Sequence, residues 1–250
     1  MKKALLYGTG VIVFLLLVVY ITLQFFLGSI VKAGVEKFGP GITQTKVELT
    51  SATLSPLSGQ GTLTGLSVAN PAGWPAGNAF YLGRIHIAMK PFSVFGDHII
   101  IDEITIDQPQ FTYDTKIVSS NINDLLKNIE QSMGAQKGGI QPKAKNGRPL
   151  KLEVKKFVLT NGKVTVGLAG NAITMPMPTV NMTDIGTAEG GVTPAGLAYA
   201  VMRNVTASVV AASANALQKM GGTSGATGAQ EATQALDALK GLFSSPKKTK

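Results

Sequence analysis

From Ala4 to Leu27 the chain carries no charged residue. At about 1.5 Å per residue, roughly 24 helical residues reach across a hydrocarbon core of about 30 Å. The run contains VIVFLLLVVYI, with Tyr7 towards one end and Tyr20, Phe25 and Phe26 towards the other, where aromatic rings favour the membrane–water boundary. A cleaved signal peptide is the rival reading, with Lys2 and Lys3 as its basic start and Val31-Lys32-Ala33 as its cleavage site. The apolar part of such a peptide is only about 7–15 residues long, so the run is read as an uncleaved transmembrane anchor over 1–28. Charge does not orient the anchor, because Lys2 and Lys3 precede it while Lys32, Lys37 and Lys46 follow.

The rest of the chain suffices for one ordinary core. It has no cysteine, which excludes disulfides, thiol catalysis and cysteine metal sites. The net charge of +9 is concentrated: between 137 and 163, Lys137, Lys143, Lys145, Arg148, Lys151, Lys155, Lys156 and Lys163 face only Glu153. Beside an anchor, such a stretch suits anionic lipid headgroups, with Lys143, Lys145, Arg148, Lys155 and Lys156 as the contact candidates. A solvated linker and an exposed strand face are the plainer account. Nucleic acid is not an expected partner, since aromatic residues do not interleave with the lysines as a stacking platform requires.

Period-two patterns dominate from Thr45 onward. In TKVELTSATLS, Val47 and Leu49 alternate with polar residues, and the phase slips near Ser51. In GTLTGLSVANPAGWP, Leu63 lies on one phase and Leu66 and Val68 on the other, which makes Gly65 a candidate for a bulge or bend. In YLGRIHIAMKP, Ile85, Ile87 and Met89 share a face opposite Arg84, His86 and Lys90, the pattern of a sheet covered on one side. Ile104 and Ile106 repeat it opposite Glu103, Thr105 and Asp107, until Pro109 interrupts the run.

NINDLLKNIEQSM predicts a short helix capped by Asn121 or Asn123, followed by a Gly/Lys/Pro-rich basic linker near 134–150. In KLEVKKFVLTNGKVTVGLAG, Asn161-Gly162 predicts a tight hairpin turn. MPMP (175–178) predicts an edge or bend. Thr193-Pro194 opens a helix with a stripe of Leu197, Val201, Val205, Val209, Ala212, Ala216 and Met220, ended by Gly221-Gly222. A second helical stretch with Leu236, Leu239 and Leu242 and a disordered basic tail (244–250) complete the chain.

Nothing in the sequence assembles chemistry. GQGTLTG (59–65) is followed by a strand and an Asn-Pro turn, not by the phosphate-facing helix of a nucleotide loop. His86 and His98 read as surface residues. Asp97, Asp102, Glu103 and Asp107 alternate along a strand rather than converging as oxygen ligands do. There is no Gly-x-Ser-x-Gly elbow. The chain reads as a non-enzyme with no cofactor, no metal site and no catalytic residues.

The order of an N-terminal anchor, VELTSATLSPLSGQGTLTGLSVANPAGWP, AFYLGRIHIAMKPFSVFGDHIIIDEITIDQPQFTYD, SSNINDLLKNI and LKLEVKKFVLTNGKVTV resembles the AsmA-like family of bacterial envelope proteins. The shared cadence is a strand ending in Asn-Pro, a strand running into Lys-Pro, an I-x-I-x-x-P-x-F segment and an Asn shortly after, over roughly residues 1–170. The resemblance implies an inner-membrane anchor with a cytoplasmic N-terminus and the bulk of the chain in the periplasm. It also implies a role in envelope or outer-membrane biogenesis.

The fold expected is α+β: a transmembrane helix, a curved, mostly antiparallel, gutter-like sheet over 29–192, and a helical segment over 193–243. On the resemblance, Ile85, Ile87, Met89, Ile104, Ile106, Val164 and Val166 line an apolar groove for phospholipid acyl chains. The same residues packed under the C-terminal helices would be an ordinary core. Six to eight strands at about 4.8 Å give a gutter too short to cross a periplasm alone. The alternatives are therefore a lipid-binding adaptor, a cap, a subunit of a larger assembly, or an anchored interaction module that docks an envelope or secretion partner.

Overall fold

The computed structural model describes residues 2–116, 119–135, 142–144, 146–168 and 171–221. The stretch with Leu236, Leu239 and Leu242, the basic tail and Lys145 lie outside them. The fold is α+β, with an N-terminal apolar helix, a mixed sheet that is not closed and a C-terminal helix.

The N-terminal helix α1 (Lys2–Thr43) has two unlike halves. In its first half the large apolar side chains of Tyr7, Val11, Phe14, Leu16, Val19 and Phe26 are exposed. From Leu27 onward it lies along the edge of β1 (Val47–Leu54), the first strand. Two glycines permit the approach: a Cβ on Gly28 would overlap the Ala52 carbonyl, and one on Gly39 would sit 2.9 Å from Val47 Cγ1. The free edge of β1 is blunted by α1 itself. Glu36 Oε1 accepts from the Leu49 N–H at 3.2 Å, and Lys32 Nζ donates to the Leu49 carbonyl. The helix continues through Gly39-Pro40-Gly41. It runs on to Thr43 and closes on Gln44, at φ 55°, whose N–H bonds the Pro40 carbonyl at 2.9 Å.

After β1 the chain adds β2 (Gln60–Ala69) and β3 (Asn78–Met89) as antiparallel neighbours. A 3-10 turn (Ser93–Phe95) then leads to β4 (His98–Asp107) and β5 (Gln110–Lys116). These two run end to end along the same edge of β3. A short β6 (Ser119–Ser120) and helix α2 (Asn121–Ala135) carry the chain over to β7 (Lys151–Thr160) and β8 (Lys163–Leu168), again end to end. This pass is parallel to β4 and β5, the one exception in an otherwise antiparallel sheet among the described strands. Parallel neighbours require a crossover, and α2 provides it. The hairpin expected at Asn161-Gly162 is therefore not formed, because β7 and β8 continue one another. The true hairpin lies beyond β8, where β9 (Asn171–Pro176) and then β10 (Val180–Ile185) return antiparallel along β8 and β7.

The irregularities foreseen along the sequence fall on one line. The registers place Thr50, Gly65, Gly83, Gln108, Asn161 and Pro178 opposite one another across the whole sheet. Gly65, Gln108 and Asn161 take positive φ there (67°, 54° and 54°). Apolar positions change phase at this row in every pass: Ile106 gives way to Phe111, Leu159 to Val164, and Leu63 to Leu66. At Gly65, where the sequence predicts a bulge or bend, no residue is inserted as a bulge requires; the position is a left-handed residue, and the Thr50 hydroxyl occupies the place of its missing Cβ. The row divides the sheet into a proximal half, beside the exposed part of α1, and a distal half.

Helix α3 (Pro194–Gly221) starts where Thr193-Pro194 predicted, with Thr193 Oγ1 accepting from the Gly196 N–H at 3.1 Å. It packs against α2 and against strands of both halves. Val205, Val209 and Ala212 of the expected stripe are buried, together with Met202 and Val210. Among the described residues two helices, α1 and α3, are long and apolar enough to cross a membrane by length and composition, and α3 packs one face on α2 and the sheet. Thr206 on α3 is fully buried and its hydroxyl has no hydrogen-bond partner. Thr206→Val keeps the shape and removes the desolvated hydroxyl. It is expected to raise stability by about 1 kcal/mol, read as a higher urea midpoint in detergent.

Candidate functional site

The seven apolar groove candidates are divided by the row. Ile85, Ile87, Met89, Ile104 and Ile106 belong to the proximal half, where Ile85 pairs with Ile106 and Ile87 with Ile104. Ile85, Met89 and Ile106 are buried, whereas Ile87 and Ile104 keep partial exposure. Val164 and Val166 belong to the distal half and are closed to solvent in the core shared with α2 and α3. An apolar surface open to a ligand is thus confined, among these seven, to the Ile87–Ile104 pair.

The five basic candidates also separate. On the polar face of the sheet, Lys155 Nζ meets Asp102 Oδ1 at 2.6 Å and Lys156 Nζ meets Glu103 Oε1 at 2.9 Å. The hydrogen bond from Lys156 holds the Glu103 carboxyl below its ordinary range, and Asp102 raises the Lys155 ammonium. Such exposed pairs contribute little to stability, but they leave these lysines poor claimants for a headgroup. Arg148 stands 3.5 Å from Asp97, whose carboxyl is lowered by the hydrogen bond from Asn146 and the Arg148 charge. Lys143 and Arg148 lie on a turn bridged at Lys143–Pro149, which is tied to the proximal end through the Lys151 N–H and the Asp97 carbonyl at 2.8 Å. Among the described residues, no group of three or more His, Asp or Glu side chains is placed to hold a metal ion.

Asn-Pro and the later Asn, the most distinctive marks in the sequence, meet at the distal end. Asn121 is fully buried. Its Nδ2 donates to Asn70 Oδ1 and to the Thr112 carbonyl, both at 2.8 Å. Its Oδ1 accepts from the N–H groups of Asp114 at 3.0 Å and Ile122 at 2.8 Å. Asn70 in turn donates to the Pro75 carbonyl at 3.0 Å.

The helix is capped by Ser120, whose Oγ accepts from the Asn123 N–H at 3.2 Å, so neither asparagine expected as cap fills that role alone. Trp74 belongs to the same end of the sheet. Its Nε1 donates to Asp124 on α2 at 2.9 Å, and Lys116 Nζ sits 4.4 Å above its ring while donating to the Gly73 carbonyl. The node fastens the β2–β3 loop, β5 and α2 together. Sequence reasoning identified both asparagines but not their contact, because 51 residues separate them.

No family model, curated protein or solved structure matches the chain.

Proposed function

We propose that the chain is an inner-membrane-anchored envelope protein of the AsmA-like type, with its sheet domain in the periplasm and a part in envelope biogenesis. The observation that carries the anchor is the division of α1. Its exposed apolar half continues without a break from the half packed on β1, which supports reading one helix as both span and scaffold. Acyl chains are the ligand class that fits the partly open Ile87–Ile104 pair beside that span. A long groove across both halves has no support from Val164 and Val166, which the helices cover.

Lipid extraction and native mass spectrometry on the full chain, purified in a lipid-free detergent exchange, test this reading. Phospholipid retained by the parent and lost on Ile87→Asp, with folding intact, is the expected result. A folded parent that retains none rejects the lipid role. A second reading, an anchored module that docks a protein partner, is favoured by α3 lying over the sheet face where a ligand would otherwise enter.

A further inference from the structure

The turn that joins β1 to β2 lies beside α1 at the point where the helix leaves the domain. Tyr20 Oη and Ser55 Oγ are 3.0 Å apart, and Gly28 faces Ala52 just below. The neighbouring loop between β3 and β4 is tied to the same turn, with the Phe92 N–H bonded to the Pro56 carbonyl at 3.3 Å. On these two loops Leu57, Phe92 and Phe95 are 58%, 58% and 47% exposed, although α1 and the sheet bury most other large apolar side chains of the domain. Phe92 holds φ 64°, an unusual conformation for a bulky residue, and its ring stacks on Phe95 at 6.5 Å.

Length fixes where this end must sit. The helix residues before Tyr20 run roughly 27 Å at about 1.5 Å each, close to the hydrocarbon thickness. With Lys2 and Lys3 at one boundary, Tyr20 and the loops bonded to it arrive at the other. Lys90, Lys143, Arg148 and Lys151 are exposed around this end, with Asp97 among them. Exposed aromatic and aliphatic tips ringed by basic side chains match the boundary of a bilayer with anionic headgroups.

We propose that Leu57, Phe92 and Phe95 form a second membrane foot, inserted into the bilayer that α1 spans, so that the sheet stands on the membrane surface. The inference rests on the anchor reading and goes beyond it: a helix alone would leave the domain free to tilt, whereas two contacts fix it. The proximal half then faces the bilayer, and Trp74, on the β2–β3 loop, stands at the far end of strands roughly 40 Å long.

The test uses the full chain in vesicles of equal parts phosphatidylcholine and phosphatidylglycerol, made with or without lipids brominated near the headgroup end of the acyl chain. Leu16→Trp, Leu57→Trp and Phe92→Trp are compared with the parent, whose own Trp74 supplies the reference emission. All three variants are expected to lose most of their added emission to bromine, while the parent loses little. Quenching of Leu16→Trp without quenching of Leu57→Trp and Phe92→Trp overturns the second foot and leaves the anchor standing. Absence of quenching in Leu16→Trp overturns both.

Discussion

Asn121→Leu is expected to lower stability by about 3–5 kcal/mol, among the largest effects of any single substitution in the chain. Leucine has the branching and heavy-atom count of asparagine but leaves Asn70 Oδ1, the Thr112 carbonyl and the N–H groups of Asp114 and Ile122 facing an apolar side chain at a fully buried position. Each stranded group costs about 1–3 kcal/mol, and partial relaxation keeps the total below their sum. Asn121→Asp should also be severe, since a carboxylate cannot donate to the two oxygens. Asn70→Ala strands a single donor hydrogen and should cost about 1–2 kcal/mol. Urea unfolding of the full chain in detergent, followed by the fluorescence of Trp74, measures all three. A loss within about 1 kcal/mol for Asn121→Leu would mean that the network is replaceable by packing.

The same node shows what a linear reading can and cannot reach. Asn70-Pro71 as a strand end, Asn121 near a helix start and the one-faced strands were legible because each rests on chemistry within a few residues. The contact between the two asparagines depends on tertiary approach and was not. Asn161-Gly162 is the instructive failure. Asparagine and glycine supply the left-handed backbone that a hairpin needs, and Asn161 does take it, at φ 54°. The left-handed residue is used inside a continuing pass, where Asn161 Nδ2 donates to Asp107 Oδ1 at 2.7 Å and Gly162 packs under Met177 and Pro109.

Local chemistry could not separate the two uses, because the choice lies in which strand comes alongside. The phase slip at Ser51, Gly65, Pro109 and MPMP were likewise each visible as separate marks. Only the register reveals them as one row. Val164 and Val166 illustrate the corresponding limit for function: an apolar strand face reads identically whether a lipid or α3 covers it.

Gly28→Ala is expected to pull α1 away from β1, and this matters more than its size suggests because α1 is the element that the proposed anchor shares with the domain. The Cβ would overlap the Ala52 carbonyl, a backbone atom that cannot swing aside. Either the helix lifts or the strand yields, at about 3 kcal/mol. Lifting also separates Glu36 and Lys32 from the backbone of Leu49, which reopens the edge of β1. In an isolated helix the same change gains about 1 kcal/mol over glycine, so any net loss must come from the contact. Gly34→Ala is the matched control: its Cβ meets nothing within 4 Å, and it is expected to leave stability unchanged or slightly raised.

Amide hydrogen exchange on the full chain in vesicles reads the outcome directly. Leu49 and its β1 neighbours should exchange at least tenfold faster in Gly28→Ala, with Gly34→Ala like the parent. Unchanged protection in Gly28→Ala would mean that α1 is not held by backbone approach, and the proposed link from membrane to sheet would have to come from the loops around Leu57 and Phe92 instead.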